Sequence, residues 1–373
     1  MIYIIGIIIT SFLSFLLLTK KGKSIADTIL FIWLCLILVH LILYSIISSN
    51  EYLKFPYLLG LEIPLPLLHG PFLYLYTLTL TSQQDIRPKI LLHFLPYAIA
   101  FIAIIPFLFL SPDEKILVYQ KKGKGFETIL TIIFVGIILS GITYTILSLL
   151  VLRRYKIQLK NNFSYIERIN LLWLFRIILS LSCIWFLVLF ADDKIIFSSV
   201  VLFVVLIGYY GIKQVGVFSN QPPLAAFVFS KSTEEIELLD TPLSNIKYEN
   251  SLLPEDQSQE IHQRLVHIMK EKKLYQIPEL TLAMVSEELN VHPNRLSQVI
   301  NSVEQKNFFD YINYLRIEEF KKLLANPENQ KYTILSLALE CGFNSKTSFN
   351  RNFKNQTGIS PSAYLREIKK VSN

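Results

Sequence analysis

Before Gln214 the chain contains long apolar runs, and their length constrains its fold more than any other feature. Each of these runs, about seven in number, is close to the roughly 20 residues with which an α-helix crosses the hydrocarbon core of a bilayer. They predict a seven-span helical domain over residues 1–214. By residue number, the predicted spans are roughly 2–19, 25–48, 57–81, 89–110, 127–152, 169–190 and 195–212.

The composition supports a division between this apolar region and the rest of the chain. Hydrophobic residues make up 52% of the sequence and charged residues only 17%, which departs from the composition of an ordinary soluble domain. Dense clusters of charged residues come after Ser230. The net charge of +7 suits lipid headgroups and nucleic-acid phosphates alike, so its sign does not choose between these partners.

No metal site, cofactor site or catalytic constellation stands out in the sequence. The three cysteines, Cys35, Cys183 and Cys341, are widely separated, so neither a disulfide framework nor a zinc site is indicated. Paired aspartates, a Ser-Lys dyad, a zinc-binding helix and a phosphate-binding glycine loop are not found either. We therefore expect a protein that is not an enzyme and that uses no cofactor or metal.

Lysine and arginine in the short loops predict the orientation of the spans. Basic residues follow the first, third and fifth spans, which places these loops in the cytoplasm. The loop after the fourth span contradicts this rule, because it contains Lys115, Lys121, Lys122 and Lys124. We give the basic residues of the other loops more weight than those of this one loop. We therefore predict a multi-pass protein of the cytoplasmic membrane whose C-terminal domain lies in the cytoplasm.

Glu62 and His69 are ionisable residues within the third predicted span. Three prolines, Pro64, Pro66 and Pro71, must kink or break a helix there and free backbone carbonyls. A broken helix with a carboxylate and an imidazole could line a ligand cavity, which makes Glu62 and His69 candidate signal-sensing residues. The alternative, which we favour, is that Glu62 lies near the outer interface and that His69 hydrogen-bonds a neighbouring helix.

Residues 215–257 combine prolines with a mixed polar sequence and show no sustained period, which indicates a linker. A disordered linker of this length would span roughly 35–40 Å, so the C-terminal domain could meet DNA close to the bilayer. The alternative is that residues 234–240 form part of a small folded neck that transmits motion.

From Ser258 onward, apolar residues recur at helical spacing and indicate a helical domain over residues 258–373. A short helix is predicted from Leu282 to Leu289, followed by a break and a second helix from Pro293, a residue tolerated at a helix start. This second helix would bury its apolar side chains. The polar side chains that it turns outward, toward base edges, are Asn294, Arg295, Ser297 and Gln298.

A long amphipathic helix, FFDYINYLRIEEFKKLLA, is predicted to act as a rigid spacer before a second motif of the same kind. Thr333 would cap the first helix of that motif, Gly342 would supply its tight turn, and Asn344 or Ser345 would cap its second helix. Arginine and asparagine pair bidentately with guanine and adenine in the major groove. The predicted base-reading side chains are Lys346, Thr347, Asn350 and Arg351, with Lys354 placed to contact phosphate.

Residues 258–370 resemble the DNA-binding domain of the AraC/XylS family of bacterial transcription regulators. The resemblance is carried by GFNSKTSFNRNFKNQTGISPSAYLR, with its Gly-Phe turn and Gly-x-Ser-Pro segment, and by LAMVSEELNVHPNRLSQVIN. It implies that the outward polar residues of both motifs contact bases in successive major-groove segments. Asn294 and Ser297 have short side chains, so the first motif is expected to add less specificity.

The apolar region, with LPLLHGPFLYLY and VVLFVVLIGYYGIKQ, resembles the multi-span sensor halves that are fused to such domains. The predicted fold is therefore all-α, with a seven-helix transmembrane bundle followed by a cytoplasmic AraC-type domain with two helix-turn-helix motifs. The resemblance implies a one-component transcription regulator in which a signal at the membrane changes DNA binding.

The expected partners are double-stranded DNA, membrane lipid, RNA polymerase, a second copy of the chain and a signal ligand. The alternative function is a membrane channel, transporter or receptor whose cytoplasmic helical tail serves as a protein-interaction module.

Overall fold

A computed structural model of the chain describes residues 2–81, 88–167, 171–213 and 254–371. The regular elements in these ranges are helices and no strand occurs among them, which confirms the all-α prediction. The described residues divide into two units, one holding residues up to 155 and from 171 to 213, the other holding 156–167 and 254–371. Residues 156–167, which lie before the predicted domain boundary at residue 214, thus group with the C-terminal residues.

Helices α1 to α9 and short 3₁₀ turns build the first unit, although the last turns of α7 belong to the second. A capping box starts α2, since Ser24 and Asp27 each accept a hydrogen bond from the other's backbone N–H, and Lys20 pairs with Asp27 at 2.8 Å. The helices are α1 (Ile2–Thr19), α2 (Ile25–Ser48), α3 (Pro66–Thr81), α4 (Leu95–Ala103), α5 (Ile105–Leu108), α6 (Pro112–Gln120), α7 (Glu127–Asn162), α8 (Leu172–Leu187) and α9 (Asp193–Lys213).

Within the described ranges, α1, α2, α7 and α9 are long and apolar enough to cross a membrane. The third, fourth and sixth predicted spans contain shorter helices instead. Proline explains two of these cases, because Pro66 begins α3 and Pro96 and Pro106 lie in the first turns of α4 and α5, positions where a missing N–H is tolerated. The number of seven spans stays a prediction.

Helices α10 to α16 build most of the second unit. The two helices of the first predicted motif begin and end close to the predicted residues, and the long spacer helix ends at Ala325, before Pro327, as predicted. The helices are α10 (Glu255–Glu271), α11 (Leu282–Leu289), α12 (Pro293–Val303), α13 (Phe308–Ala325), α14 (Ile334–Glu340), α15 (Lys346–Thr357) and α16 (Pro361–Val371).

The start of α10 differs from the prediction. This helix begins at Glu255, earlier than the predicted start at Ser258, so its first residues lie within the range predicted as a linker, 215–257. Acidic residues fill the first turn of α10, where carboxylates interact favourably with the helix dipole. Because buried apolar residues recur only from Ile261, this polar turn resembled a linker. The rest of the predicted linker, including residues 234–240, lies outside the described residues.

Two hydrophobic clusters form the core of the second unit, and α13 contributes to both. Phe308 and Ile312 near its start join a cluster with α10, α11 and α12. Ile317 and Phe320, further along, join a cluster with α14 and α15. Since α13 has 18 residues, it is roughly 27 Å long. One rigid helix therefore supports both motifs, as expected of the predicted spacer.

Candidate nucleic-acid interface

The first helix-turn-helix motif consists of α11 and α12. Thr281 caps α11, because its side chain accepts a hydrogen bond from the backbone N–H of Met284 at 3.2 Å. The turn passes through Asn290 with a φ of 51°, a left-handed conformation that asparagine tolerates better than most residues. His292 caps α12, since its Nδ1 accepts a hydrogen bond from the N–H of Asn294 at 3.2 Å. Local hydrogen bonds therefore define where both helices begin.

The second motif consists of α14 and α15. Thr333 caps α14 and accepts a hydrogen bond from the N–H of Ser336 at 3.0 Å, as predicted. The turn contains Gly342 with a φ of 96°, and an added Cβ there would lie 2.6 Å from the carbonyl oxygen of Tyr275 and 2.8 Å from that of Gln276. The turn thus requires glycine both for its backbone conformation and for its close approach to neighbouring backbone.

Helix α15 separates its apolar and polar side chains onto two faces. Ser345 caps the helix and accepts a hydrogen bond from the N–H of Ser348 at 3.2 Å, which decides between the two predicted caps. Phe349 and Phe353 are buried in the second cluster. The predicted base-reading and phosphate-contacting side chains are all exposed, namely Lys346, Thr347, Asn350, Arg351 and Lys354.

Helix α12 exposes a shorter set of polar groups. Asn294 and Arg295 are exposed, whereas Ser297 and Gln298 are half-buried. Asn301 donates a hydrogen bond to the backbone carbonyl of Ser297 at 2.8 Å and to its hydroxyl at 3.3 Å. The hydroxyl of Ser297 is therefore engaged within its own helix, and the exposed face of α12 offers fewer long polar side chains than that of α15.

An acidic residue from a distant part of the sequence lies against the second motif. The carboxylate of Glu167 accepts a charge-assisted hydrogen bond from the guanidinium of Arg351. Glu167 belongs to residues 156–167, the internal segment that groups with this unit. In the same segment, Lys160 pairs with Asp310 of α13 at 3.5 Å. Sequence reasoning missed Glu167, and no local pattern marks it.

Arg316 of α13 is a second group that sequence reasoning missed. Its side chain is only 1% exposed, and it donates hydrogen bonds to the carbonyl oxygens of Tyr275 at 2.7 Å and Ile277 at 2.8 Å. It also donates to the hydroxyl of Ser164 at 3.1 Å. Burial lowers the pKa of Arg316 to about 10, which still leaves the guanidinium charged at neutral pH. A buried charge of this kind must be hydrogen-bonded on several sides to be tolerated.

A pattern in the sequence marks Arg316 nevertheless. Ile312, Arg316 and Phe320 follow one another at intervals of four residues, so they share one face of α13. Because Ile312 and Phe320 are both fully buried, an arginine between them occupies a core position. A charged residue on the apolar face of an amphipathic helix is the signal that predicts such a buried, hydrogen-bonded cation.

The family model described as "Helix-turn-helix domain" matches residues 285–367. This range begins within α11 and ends within α16, so it includes both turns and both outward faces. These residues form a helix-turn-helix domain of the AraC type. No solved structure matches the chain.

Two curated relatives from Escherichia coli (strain K12) are similar to the helix-turn-helix domain. The uncharacterized HTH-type transcriptional regulator YijO is 32% identical over 88 residues, which are 24% of this chain and 30% of the relative. The uncharacterized HTH-type transcriptional regulator YpdC is 31% identical over 87 residues, 23% of this chain and 29% of the relative. The match and these relatives support DNA-binding transcription regulation. The similarity spans less than a third of either relative.

The candidate sensing residues Glu62 and His69 have different partners in the first unit. The indole N–H of Trp33 donates to His69 Nδ1 at 3.2 Å, and His40 Nδ1 lies 3.2 Å from His69 Nε2. Both partners are on α2, so His69 contacts a neighbouring helix as the alternative interpretation expects. Glu62 instead accepts a hydrogen bond from the backbone N–H of Gly60 at 3.0 Å.

The two imidazoles border a cavity of about 270 Å³ whose other walls are mainly apolar. It is lined by residues of α2, α3, α7, α8 and α9, together with the turn before α9. Glu62 does not line it. Across the residues that the structure describes, His, Cys, Asp and Glu form no group of three that could hold a metal ion.

Proposed function

We propose that the protein is a membrane-anchored, one-component transcription regulator. Its helix-turn-helix domain would bind double-stranded DNA in a sequence-specific manner at the cytoplasmic face. A signal received by the first unit, which we call the apolar unit, would modulate this binding. The observation that carries the proposal is the exposed polar face of α15, which presents arginine, asparagine and lysine within a matched helix-turn-helix domain. Membrane lipid, RNA polymerase, a second copy of the chain and a signal ligand are the further partners of this proposal.

The exposed side chains of the long apolar helices support membrane anchoring. On α1, Ile8, Phe12 and Phe15 are 61%, 56% and 59% exposed, and their spacing places them on one helical face. On α7, Leu139 and Ile142 are 60% and 53% exposed. Continuous apolar surface of this extent is unfavourable in water and marks contact with a membrane or a partner. A bilayer matches the length of α1 and of the apolar part of α7, which corresponds to the fifth predicted span at roughly residues 127–152.

The proposed roles at the DNA follow from side-chain chemistry. In the second motif, Arg351 and Asn350 would pair with guanine and adenine in the major groove. Lys346 and Thr347 would contact the same segment, and Lys354 would neutralise a phosphate. In the first motif, the residues proposed to face the neighbouring groove segment are Asn294, Arg295, Ser297 and Gln298.

The cavity beside His40 and His69 is the proposed place where a signal enters. Its walls are mainly apolar and its polar groups are few, a combination typical of small-molecule sites. A ligand with an apolar body and one hydrogen-bonding group fits this lining. Binding would favour one packing of α2 and α3 over another, and a difference of a few kcal/mol between two states is enough to change their populations.

The test uses the full-length protein in lipid nanodiscs and DNA duplexes that it selects from its own genome. Arg351→Ala should weaken binding to the selected duplex by about 1–3 kcal/mol and relax the preference at one base pair. Lys270→Ala, which removes an exposed positive charge from α10, is the matched control and should retain the sequence preference. Fluorescence polarisation with singly substituted duplexes measures both effects.

Two outcomes would contradict the proposal. The first is an unchanged sequence preference in Arg351→Ala. The second is an extracytoplasmic position for residues after 254, measured with reporter fusions in cells. Either result would favour the alternative of a membrane protein whose helical tail binds another protein.

A further inference from the structure

Residues 156–167 form what we call the docking segment, and they pack on the helix-turn-helix domain through backbone contacts. The segment contains the last turns of α7 and the five residues that follow. The N–H of Ser164 donates to the carbonyl oxygen of Leu280 at 3.1 Å, and Phe163 forms an isolated antiparallel bridge with Thr281. Phe163 and Ser164 are 3% and 1% exposed. The segment thus contacts the residues that directly precede the first helix of the first motif.

The buried cation Arg316 recognises the docking segment specifically. It donates to the hydroxyl of Ser164 at 3.1 Å and to its carbonyl oxygen at 3.3 Å. Asn313 donates to the same carbonyl oxygen at 3.1 Å. Because a buried guanidinium loses stability when its N–H groups lack acceptors, these contacts favour the docked position of the segment. The polar groups that hold the docking segment are therefore buried, whereas those of an incidental surface contact would be exposed.

The docked segment places Glu167 on the exposed face of α15. Its carboxylate pairs there with Arg351, the side chain proposed to read guanine. A guanidinium presents one planar fork, which can serve a carboxylate or a guanine edge in a bidentate manner. Glu167 and DNA therefore compete for Arg351.

We propose that the docking segment is an intramolecular partner of the second motif, with Glu167 occupying Arg351 in place of DNA. This inference rests on the proposed function and deepens it, because it assigns the regulation of the same site. DNA binding requires release of Glu167 from Arg351. The segment continues α7, a single helix of 36 residues that begins at Glu127 in the apolar unit. The docking segment is thus joined to that unit along the chain by α7, separately from residues 215–257.

The decisive experiment compares Glu167→Gln with the wild type, both full-length in nanodiscs of phosphatidylethanolamine and phosphatidylglycerol. The probe is the duplex that Glu167→Gln selects from a random-sequence library. We expect Glu167→Gln to bind it about 2- to 5-fold more tightly than the wild type, the range for loss of one partly exposed ion pair. Glu260→Gln, which removes an exposed carboxylate from α10, is the control and should bind like the wild type.

A double-mutant cycle separates competition at Arg351 from a general effect of charge. If Glu167 acts through Arg351, Glu167→Gln should give no gain in affinity in an Arg351→Ala background. A gain of equal size in both backgrounds would overturn the inference, because it would show that the carboxylate only repels DNA at long range. An unchanged affinity in Glu167→Gln, with Arg351→Ala still weakened, would overturn it as well and leave the proposed function standing.

Hydrogen exchange of the docking segment gives a readout that does not depend on affinity. In wild-type protein without DNA, the Ser164 amide should be protected, and addition of the duplex should accelerate its exchange. Exchange as fast as that of an unstructured chain before DNA is added would overturn the inference by itself. If neither the wild type nor Glu167→Gln binds any duplex while Ser164 remains protected, the proposed function fails, and the inference fails with it.

Discussion

In the first helix-turn-helix motif the turn passes through Asn290 at a φ of 51°, whereas in the second it passes through Gly342 at 96°. Asparagine tolerates the first conformation at modest cost. Glycine is required in the second, since an added Cβ would meet the Tyr275 carbonyl oxygen at 2.6 Å. Two motifs with one architecture thus differ in how strongly their turns constrain the sequence. The stricter turn belongs to the motif whose outward face carries more cationic and amide groups.

The hydrophobic interiors of the two motifs also differ, and the interior of the second motif is again the more restrictive. The first is filled mainly by aliphatic side chains, such as Val285, Leu296 and Ile300. The second contains four phenylalanines whose rings contact one another, with centroids of Phe320 and Phe349 4.7 Å apart. Aromatic clusters bury more area per residue and have defined ring geometry. The second motif is therefore expected to tolerate core substitution less well than the first.

Truncation of a core residue in each motif should have the largest effect. Phe353→Ala should lower the free energy of local unfolding of the second motif by about 3–5 kcal/mol, and Ile300→Ala should lower that of the first by about 2–5 kcal/mol. Amide hydrogen exchange of α15 and α12 measures the two motifs separately. An equal loss of protection in both motifs from either substitution would show that they unfold as one unit. The two motifs would then have no separate stabilities to compare.

Substitution at the two turns should have the next largest effect. Gly342→Ala should destabilise the second motif by about 1–3 kcal/mol, because its backbone conformation and the nearby carbonyl oxygens both disfavour a Cβ. Asn290→Gly is the matched control and should change the first motif by only a few tenths of a kcal/mol. Hydrogen exchange of α14 and α11 reports both values. Equal stability of Gly342→Ala and the wild type would contradict the requirement for glycine.

A matched pair of asparagines tests the outward faces of the two motifs. Asn350→Ala should weaken specific DNA binding by about 1–3 kcal/mol if Asn350 pairs with adenine. Asn294→Ala should have a smaller effect, because the neighbouring Ser297 is engaged within its helix and Gln298 is half-buried. Titration of the full-length protein with the selected duplex measures both. A larger loss for Asn294→Ala would reverse the proposed ranking of the two motifs.

The threonine caps should show the smallest effect and little difference between motifs. Thr333→Ala and Thr281→Ala should each cost about 1 kcal/mol, since each removes the acceptor for one N–H in the first turn. Thr333→Ser and Thr281→Ser retain the hydroxyl and serve as controls. Hydrogen exchange in the first turns of α14 and α11 gives the values. A loss at Thr281 that also released Ser164 would show that this cap supports the docking segment too.

Much of the helix-turn-helix domain could be predicted because its signals are local. The limits of α11, the start of α12 and the cap Thr333 follow from contacts within a few residues, and a glycine between two helical patterns marks the turn at Gly342. α10 was predicted to start too late, because its first turn is polar and carries no apolar period. In the apolar unit, run length predicted where helices occur, but prolines divided the fourth predicted span into short pieces.

The sequence by itself determined the helix-turn-helix helices, their caps, the position of the glycine turn and the polar face of α15, because each depends on neighbours along the chain. Only the tertiary structure decided the contacts of Arg316 and Arg351. Arg316 bonds Ser164 across 152 residues of sequence, and Arg351 pairs with Glu167 across 184. No local period encodes such pairs, since they depend on where the folded backbone brings distant segments together and on the need of a buried cation for acceptors.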